Sequence, residues 1–388
     1  MSLLFISRKN IHARYYKKIA DRLEQPAQVH VMGKPMWRAV NFLHQAFQQP
    51  MDGIIQTQYK RKVAKQADLW RKPWVAKSYT AMLSVIERLR LAKYLALLEQ
   101  EKPSRVVLWN GKKLPNQTVV LAAQLSGIPL YFYENGLLPG TTSLDPVGVN
   151  QAASVPKTRE FYFSPQVESL PEFHSPALVA RQAHKKRRSG QEVDLPERYV
   201  FVPFQVPHDT QVVCYSPWID SMEALYQAVM QAVKELNDPE LKVVFKEHPS
   251  WHKHYSHLYH KDSQALFANH NATEQLIDNA EAVITINSTV GLEALQLDKR
   301  VITLGQACYN IEGLVMTADG PQALTERMQA LGGWQPDHQL RNNFFRYLQH
   351  VYAIPGNWAA CPNNHIQAVR TRLQHSDTFS SFLASQQA

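Results

Sequence analysis

"ITINSTVGLEAL", residues 284–295, decides the fold. An apolar, β-branched run stops at a polar trio, Asn287, Ser288 and Thr289, and then becomes a helix-like pattern carrying one acid, Glu293. A buried strand that passes directly into a helix start is a β–α unit of a parallel sheet. A Ser-Thr pair at that turn places hydroxyls and backbone N–H groups at the positive end of a helix. Such a pair is an ordinary N-cap, or an anion site where a ligand meets it. Gly291 would let a ligand or backbone approach closely. Glu293, about one turn in, stands where a carboxylate could accept hydrogen bonds from ribose hydroxyls.

The same alternation extends in both directions. Upstream lie the strand "RYVFVPFQV" (198–206), the helix "SMEALYQAVMQAVKEL" (221–236), the strand "LKVVFKEHP" (241–249) and the helix "TEQLIDNA" (273–280). Downstream comes the strand "KRVITLG" (299–305). The N-terminal part repeats the pattern with "LLFIS" (3–7), "AQVHVMG" (27–33), "SRVVLWNG" (104–111) and "IPLYFYENG" (128–136), separated by helical stretches. At 388 residues two domains are expected. The reading is an α/β chain of two Rossmann-like, doubly wound domains facing a cleft, the GT-B architecture. The expected boundaries are 1–190 and 196–350, joined by the charged linker "HKKRRSGQEVDLPE" (184–197). A helical tail, 351–388, is expected to pack back across both.

Composition excludes several classes. A hydrophobic fraction of 45% with 19% charged residues is that of a folded globular chain. No apolar run reaches the ~20 residues of a membrane span. The N-terminus reads as a first strand rather than a signal peptide. Three scattered cysteines, without metal-binding spacing, fit a reducing cytoplasm. The formal net charge of +9 implies an acidic partner. Nucleic acid is not expected, because no zinc finger, helix-turn-helix or RNA-binding signature is present. Residues 59–96 are basic and aromatic. They read as a solvated helical insertion or, alternatively, as a surface for an anionic inner-membrane face, which would make the protein peripheral.

Ligands of doubly wound sheets sit beyond the carboxyl ends of the strands. Candidate residues gather there. Lys246, His248 and Pro249 end one strand, expected beside the Asn287-Ser288-Thr289 edge, where a lysine, a histidine and a helix start would hold phosphate. Gln205, His208 and Asp209 follow the first strand of the second half, and Glu134 ends a strand of the first. One carboxylate from each side of a cleft suits glycosyl transfer, one at the anomeric centre and one moving a proton. Turn and cap roles are the alternative for both.

Four stretches carry a family resemblance: "YENGLLPGTTSLDPVGVN", "PFQVPHDTQ", "FKEHPSWH" and "VITINSTVGLEALQLDKRVITLGQACYNIEGLV", in order from about 131 to 315. Together they resemble the bacterial capsule-polysaccharide β-Kdo transferases, the KpsC, KpsS and WbbB group. The resemblance implies a retaining, metal-independent transferase that needs no cofactor and takes CMP-Kdo as donor and a glycan or lipid-linked acceptor. It implies Asp209 as nucleophile and Glu134 as acid or base. It implies donor contacts by Gln205, Lys246, His248, Pro249, Asn287, Ser288, Thr289 and Glu293. Two alternatives stay open, a CMP-sialic-acid-type transferase and a non-catalytic polysaccharide-binding or export component.

Overall fold

A computed structural model describes residues 2–33, 37–178 and 190–387, so residues 184–189 of the expected linker lie outside the described chain. Two compact units form, one of residues 1–155 with 351–388, the other of residues 156–350.

In the first unit five strands, β1 (Leu3–Ser7), β2 (Ala27–Val31), β3 (Arg105–Trp109), β4 (Leu130–Asn135) and β5 (Thr142–Asp145), line up as β2-β1-β3-β4-β5. The first four are parallel and β5 runs antiparallel to β4. β1 is buried along its whole length, which is why it reads as an unbroken apolar run rather than an alternating one. In the second unit β6 (Tyr199–Pro203), β7 (Lys242–Lys246), β8 (Ala265–Phe267), β9 (Ala282–Thr285), β10 (Arg300–Thr303) and β11 (Met316–Thr317) form a parallel sheet ordered β11-β10-β9-β6-β7-β8. Renumbered within the unit this is the doubly wound order 3-2-1-4-5-6. The direction of winding reverses between β1 and β3 in one unit and between β6 and β9 in the other. Those are the points where such sheets open a crevice for ligand.

Three expectations change. The division between units falls at residue 155, not near 190. Residues after 155 pack into the second unit because Tyr162, fully buried, stacks edge-on against Phe344 and Tyr347, and its carbonyl accepts from Asn343 Nδ2 at 2.8 Å. The tail belongs to the first unit. Thr142 bridges Ile354, and the helix Asn363–Leu373 brings Arg372, 2% exposed, to the carbonyl of Leu144 at 2.9 Å.

The stretch 59–96 is no mere surface insertion. It lies within the crossover that joins parallel β2 to β3, a connection that must carry the chain over the sheet. The helix Pro73–Glu101 buries Leu91, Ala92, Tyr94, Leu95, Leu97 and Leu98 in the core. It still presents Trp74, Met82, Val85 and Leu89 to solvent, with Trp74 70% exposed. No helix among the described residues is long and apolar enough to cross a membrane.

Candidate functional site

The carboxyl ends of β9, β6 and β7 form one row, with β6 in the middle. Contrary to expectation, Lys246 and His248 therefore do not neighbour Asn287 directly. They flank the segment Gln205–Asp209 from one side, while Asn287–Thr289 flanks it from the other.

Gln205 and Asn287 knit that row together across the winding reversal. Gln205 Nε2 donates to Asn287 Oδ1 at 3.0 Å, and Asn287 N donates back to Gln205 Oε1 at 3.2 Å. Thr285 Oγ1 also reaches Gln205 Oε1, and Asn287 Nδ2 donates to the carbonyl of Gln211 at 2.9 Å. Both side chains are buried, 7% and 4% exposed. These bonds occupy both ends of each amide within the protein, so the pair shapes the crevice floor.

Asp209 begins the helix Thr210–Tyr215, and its Oδ1 accepts from Gln211 N at 3.0 Å. It is thus an N-cap. The same bond fixes the orientation of a half-buried carboxylate at the carboxyl end of β6. Ser288 does the equivalent for the helix Thr289–Gln296, its Oγ accepting from Val290 N at 3.2 Å. Thr289, half-buried, opens that helix, and Glu293, also half-buried, stands one turn further on. Gly291 does serve a close approach, but of protein. A Cβ there would lie 2.3 Å from the hydroxyl of Tyr309, which donates to the Ser288 carbonyl at 2.6 Å. Tyr309 buttresses the turn from beneath. Burial, with Cys308 and Glu293 adding negative charge nearby, pushes its hydroxyl well above the usual phenol range.

On the other flank, Lys246 Nζ donates to the Asn271 carbonyl. The His248 ring is held at Nδ1 by Ser250, whose backbone N lies 3.2 Å and whose Oγ lies 2.9 Å away. Pro249 follows, and the chain turns back as Trp251 N bonds the His248 carbonyl at 2.9 Å. The intervening Glu247 is 1% exposed. Its carboxylate takes the Tyr255 N–H and meets His254 Nδ1 at 3.1 Å, anchoring the loop that carries His248.

Glu134 lies in the first unit, half-buried near the end of β4. Asn110, just past β3, donates Nδ2 to Glu134 Oε2 at 2.6 Å. Asn110 is 7% exposed and sits at φ +65°, a backbone region asparagine tolerates better than most residues. Sequence reasoning passed over Asn110. Its signal was the Asn-Gly pair closing "SRVVLWNG" at a strand end. Gly136, which follows Asn135, packs so tightly that a Cβ would fall 2.6 Å from the Thr141 backbone. Trp358, from the tail, donates its indole N–H to Asn135 Oδ1 at 3.0 Å.

Across 96% of this chain and 100% of the other, the fold is similar to that of the Thermosulfurimonas dismutans KpsC β-Kdo 2,7 transferase, with a TM-score of 0.51 at 12% identity. At that identity the likeness speaks for the fold, two Rossmann-like domains of the GT-B class. A family model for capsule polysaccharide biosynthesis proteins matches residues 177–358. Protein FixF of Sinorhizobium fredii is 39% identical over 292 residues, 74% of this chain and 70% of FixF. The capsule polysaccharide export protein KpsS of Escherichia coli is 30% identical over 164 residues, 40% of each. The chain belongs to the capsule polysaccharide biosynthesis family, as the motifs between residues 131 and 315 imply.

Proposed function

We propose that the protein is a retaining β-Kdo glycosyltransferase that moves Kdo from CMP-Kdo to a glycan or glycolipid acceptor in surface-polysaccharide synthesis. The observation that carries this reading is the row at the carboxyl ends of β9, β6 and β7. There an oriented carboxylate, Asp209, stands between a capped helix start and a histidine whose ring is held at Nδ1 by Ser250. Ser288, Thr289 and the helix N-terminus would receive the donor phosphate, with Lys246 and His248 adding positive charge or N–H donors. Glu293 would meet the ribose.

In this scheme an Asp209 oxygen attacks the anomeric carbon as the bond to the CMP phosphate oxygen breaks, and the phosphate leaves with the electron pair. An acceptor hydroxyl then attacks the same carbon, gives its proton to Glu134, and releases Asp209 as carboxylate. Two inversions give net retention. The cradle stabilises the leaving CMP without a metal.

The stripe Trp74, Met82, Val85 and Leu89, beside exposed Lys72 and Lys77, supports docking on an anionic membrane face where a lipid-linked acceptor would be met. The name of KpsS supports a second reading, a non-catalytic role in export.

Incubation with CMP-Kdo and candidate acceptors, followed by CMP release and by NMR of the new linkage, tests the proposal. CMP release with CMP-Kdo, a β product, insensitivity to a chelator, and loss of turnover in Asp209→Asn at unchanged unfolding midpoint are expected. Equal turnover with CMP-sialic acid would argue for the sialyltransferase alternative, and no release from either donor for the export reading.

A further inference from the structure

A second cavity, of about 510 Å³, opens over the carboxyl ends of β1, β2 and β3 in the first unit, at that unit's own winding reversal. No residue of the scheme above lines it. Arg8 enters directly after β1, and Met32 and Gly33 directly after β2. Leu114 and Pro115 come from the loop after β3, and Glu87, Arg90, Lys93 and Tyr94 from the crossover helix Pro73–Glu101.

Three cations and one acid meet there, and the acid is already committed. Glu87, its side chain fully buried, accepts from Thr118 Oγ1 at 2.6 Å and pairs with Arg90. That pair holds one guanidinium as a fixed part of the wall. Arg8 donates to the Leu114 carbonyl at 3.2 Å. No acid among the described residues lies within ion-pair distance of Arg8 or Lys93. Burial, and then the neighbouring Arg90, pull the Lys93 ammonium below its ordinary range. A cation that is half-desolvated and repelled by its neighbour is stabilised by an incoming anion. The remaining wall sets Gln58 among Met32, Leu83, Tyr94 and Leu114, whose apolar surface suits the face of a sugar ring.

We propose that this cavity is an oxyanion subsite of the acceptor, in which Arg8, Arg90 and Lys93 take the carboxylate or phosphate of a sugar unit. Calling the ligand an acceptor rests on the glycosyltransferase reading; binding of the anion does not. Glu134 ends β4, two strands from β1, so the subsite lies about 10 Å along the same edge from the proposed acid/base, within the span of a short glycan.

Titration calorimetry of the full chain with glucuronate, glucose 1-phosphate and glucose, alongside CMP, tests this. At least one anionic sugar should bind measurably more tightly than glucose, and the tighter of the two identifies the group. Lys93→Met and Arg8→Gln should each weaken that binding about tenfold, as loss of a charged hydrogen bond does. Lys93→Arg should retain it, and none of the three should alter CMP affinity or the unfolding midpoint. The proposal fails if both anionic sugars bind no better than glucose. It fails equally if Lys93→Met binds like the unaltered protein, or if Lys93→Arg loses binding along with Lys93→Met. If CMP does not bind while the anionic sugar still depends on Lys93, the donor reading falls and the subsite stands.

Discussion

Asn110 holds Glu134. The 2.6 Å bond from the asparagine amide to Oε2, with the Asn135 N–H on Oε1 at 3.1 Å, gives the carboxylate one orientation at the mouth of the first sheet. Asn110→Gly keeps the φ +65° backbone and removes the donor, along with the Oδ1 that accepts from Lys112 N at 3.2 Å. Turnover should fall about tenfold or more, as when one preorganised hydrogen bond is lost from a reacting group, with CMP affinity unchanged. Steady-state kinetics with a parallel CMP titration decide it. Unaltered kcat would remove Asn110 from the reaction.

Gln205 and Asn287 should behave as one unit in denaturation. Each change to alanine leaves a buried amide short of a partner and should cost about 1–3 kcal/mol. The double variant should cost less than the sum by about 1 kcal/mol. Strict additivity in urea midpoints would show that the reciprocal bonds contribute nothing.

Arg372 ties the tail to the first sheet. Its guanidinium serves the carbonyls of Leu144, Val351 and Tyr352, pairs with Asp377 and lies 3.9 Å from the Phe379 ring centre. Arg372→Met leaves three buried carbonyls and a half-buried carboxylate behind, and should cost about 3 kcal/mol or more. A thermal unfolding midpoint within a degree of the unaltered protein would contradict the structural role.

Acid should destabilise the protein through its histidines. Burial, helped by Lys9, lowers the pKa of His12 from 6.5 to about 4, where it stacks on Trp109 at 4.1 Å. Burial also lowers His365, His350 and His375. Between pH 6.5 and 4 the unfolded chain binds protons that folded His12 refuses, so stability falls as pH drops through that window and is fully present above it. Urea midpoints at pH 7 and pH 5 should show the loss, and His12→Phe should remove part of it. A slope unchanged by His12→Phe would show that other groups carry it.

Eight strands were legible as largely apolar runs between helical stretches, from Leu3–Ser7 to Arg300–Thr303, whereas the short strands Thr142–Asp145, Ala265–Phe267 and Met316–Thr317 carry no such run and were not read. Strand order was not, since no local pattern says that β6 stands between β9 and β7. The expected contact of Lys246 and His248 with Asn287 was therefore one strand too close. Asn287 and Ser288 read rightly as the end of a strand and the start of a helix. The partners of Asn287, which are Gln205 and the carbonyls of Gln211 and Tyr215, are 72 residues or more away in sequence and leave no trace in spacing. Residues 59–96 looked like surface because their charges dominate the first half. The burying residues, Leu91 to Leu98, fall at its end and just beyond.

The first unit is built from both extremities of the chain. The apolar face formed by Leu3, Phe5, Val107 and Tyr131 is completed by Ile354, Val369 and Leu373. During synthesis that face therefore stays uncovered through the whole of the second unit, until residues 354–373 follow. A stop codon near residue 350 would do its damage some two hundred residues upstream, in a sheet already made.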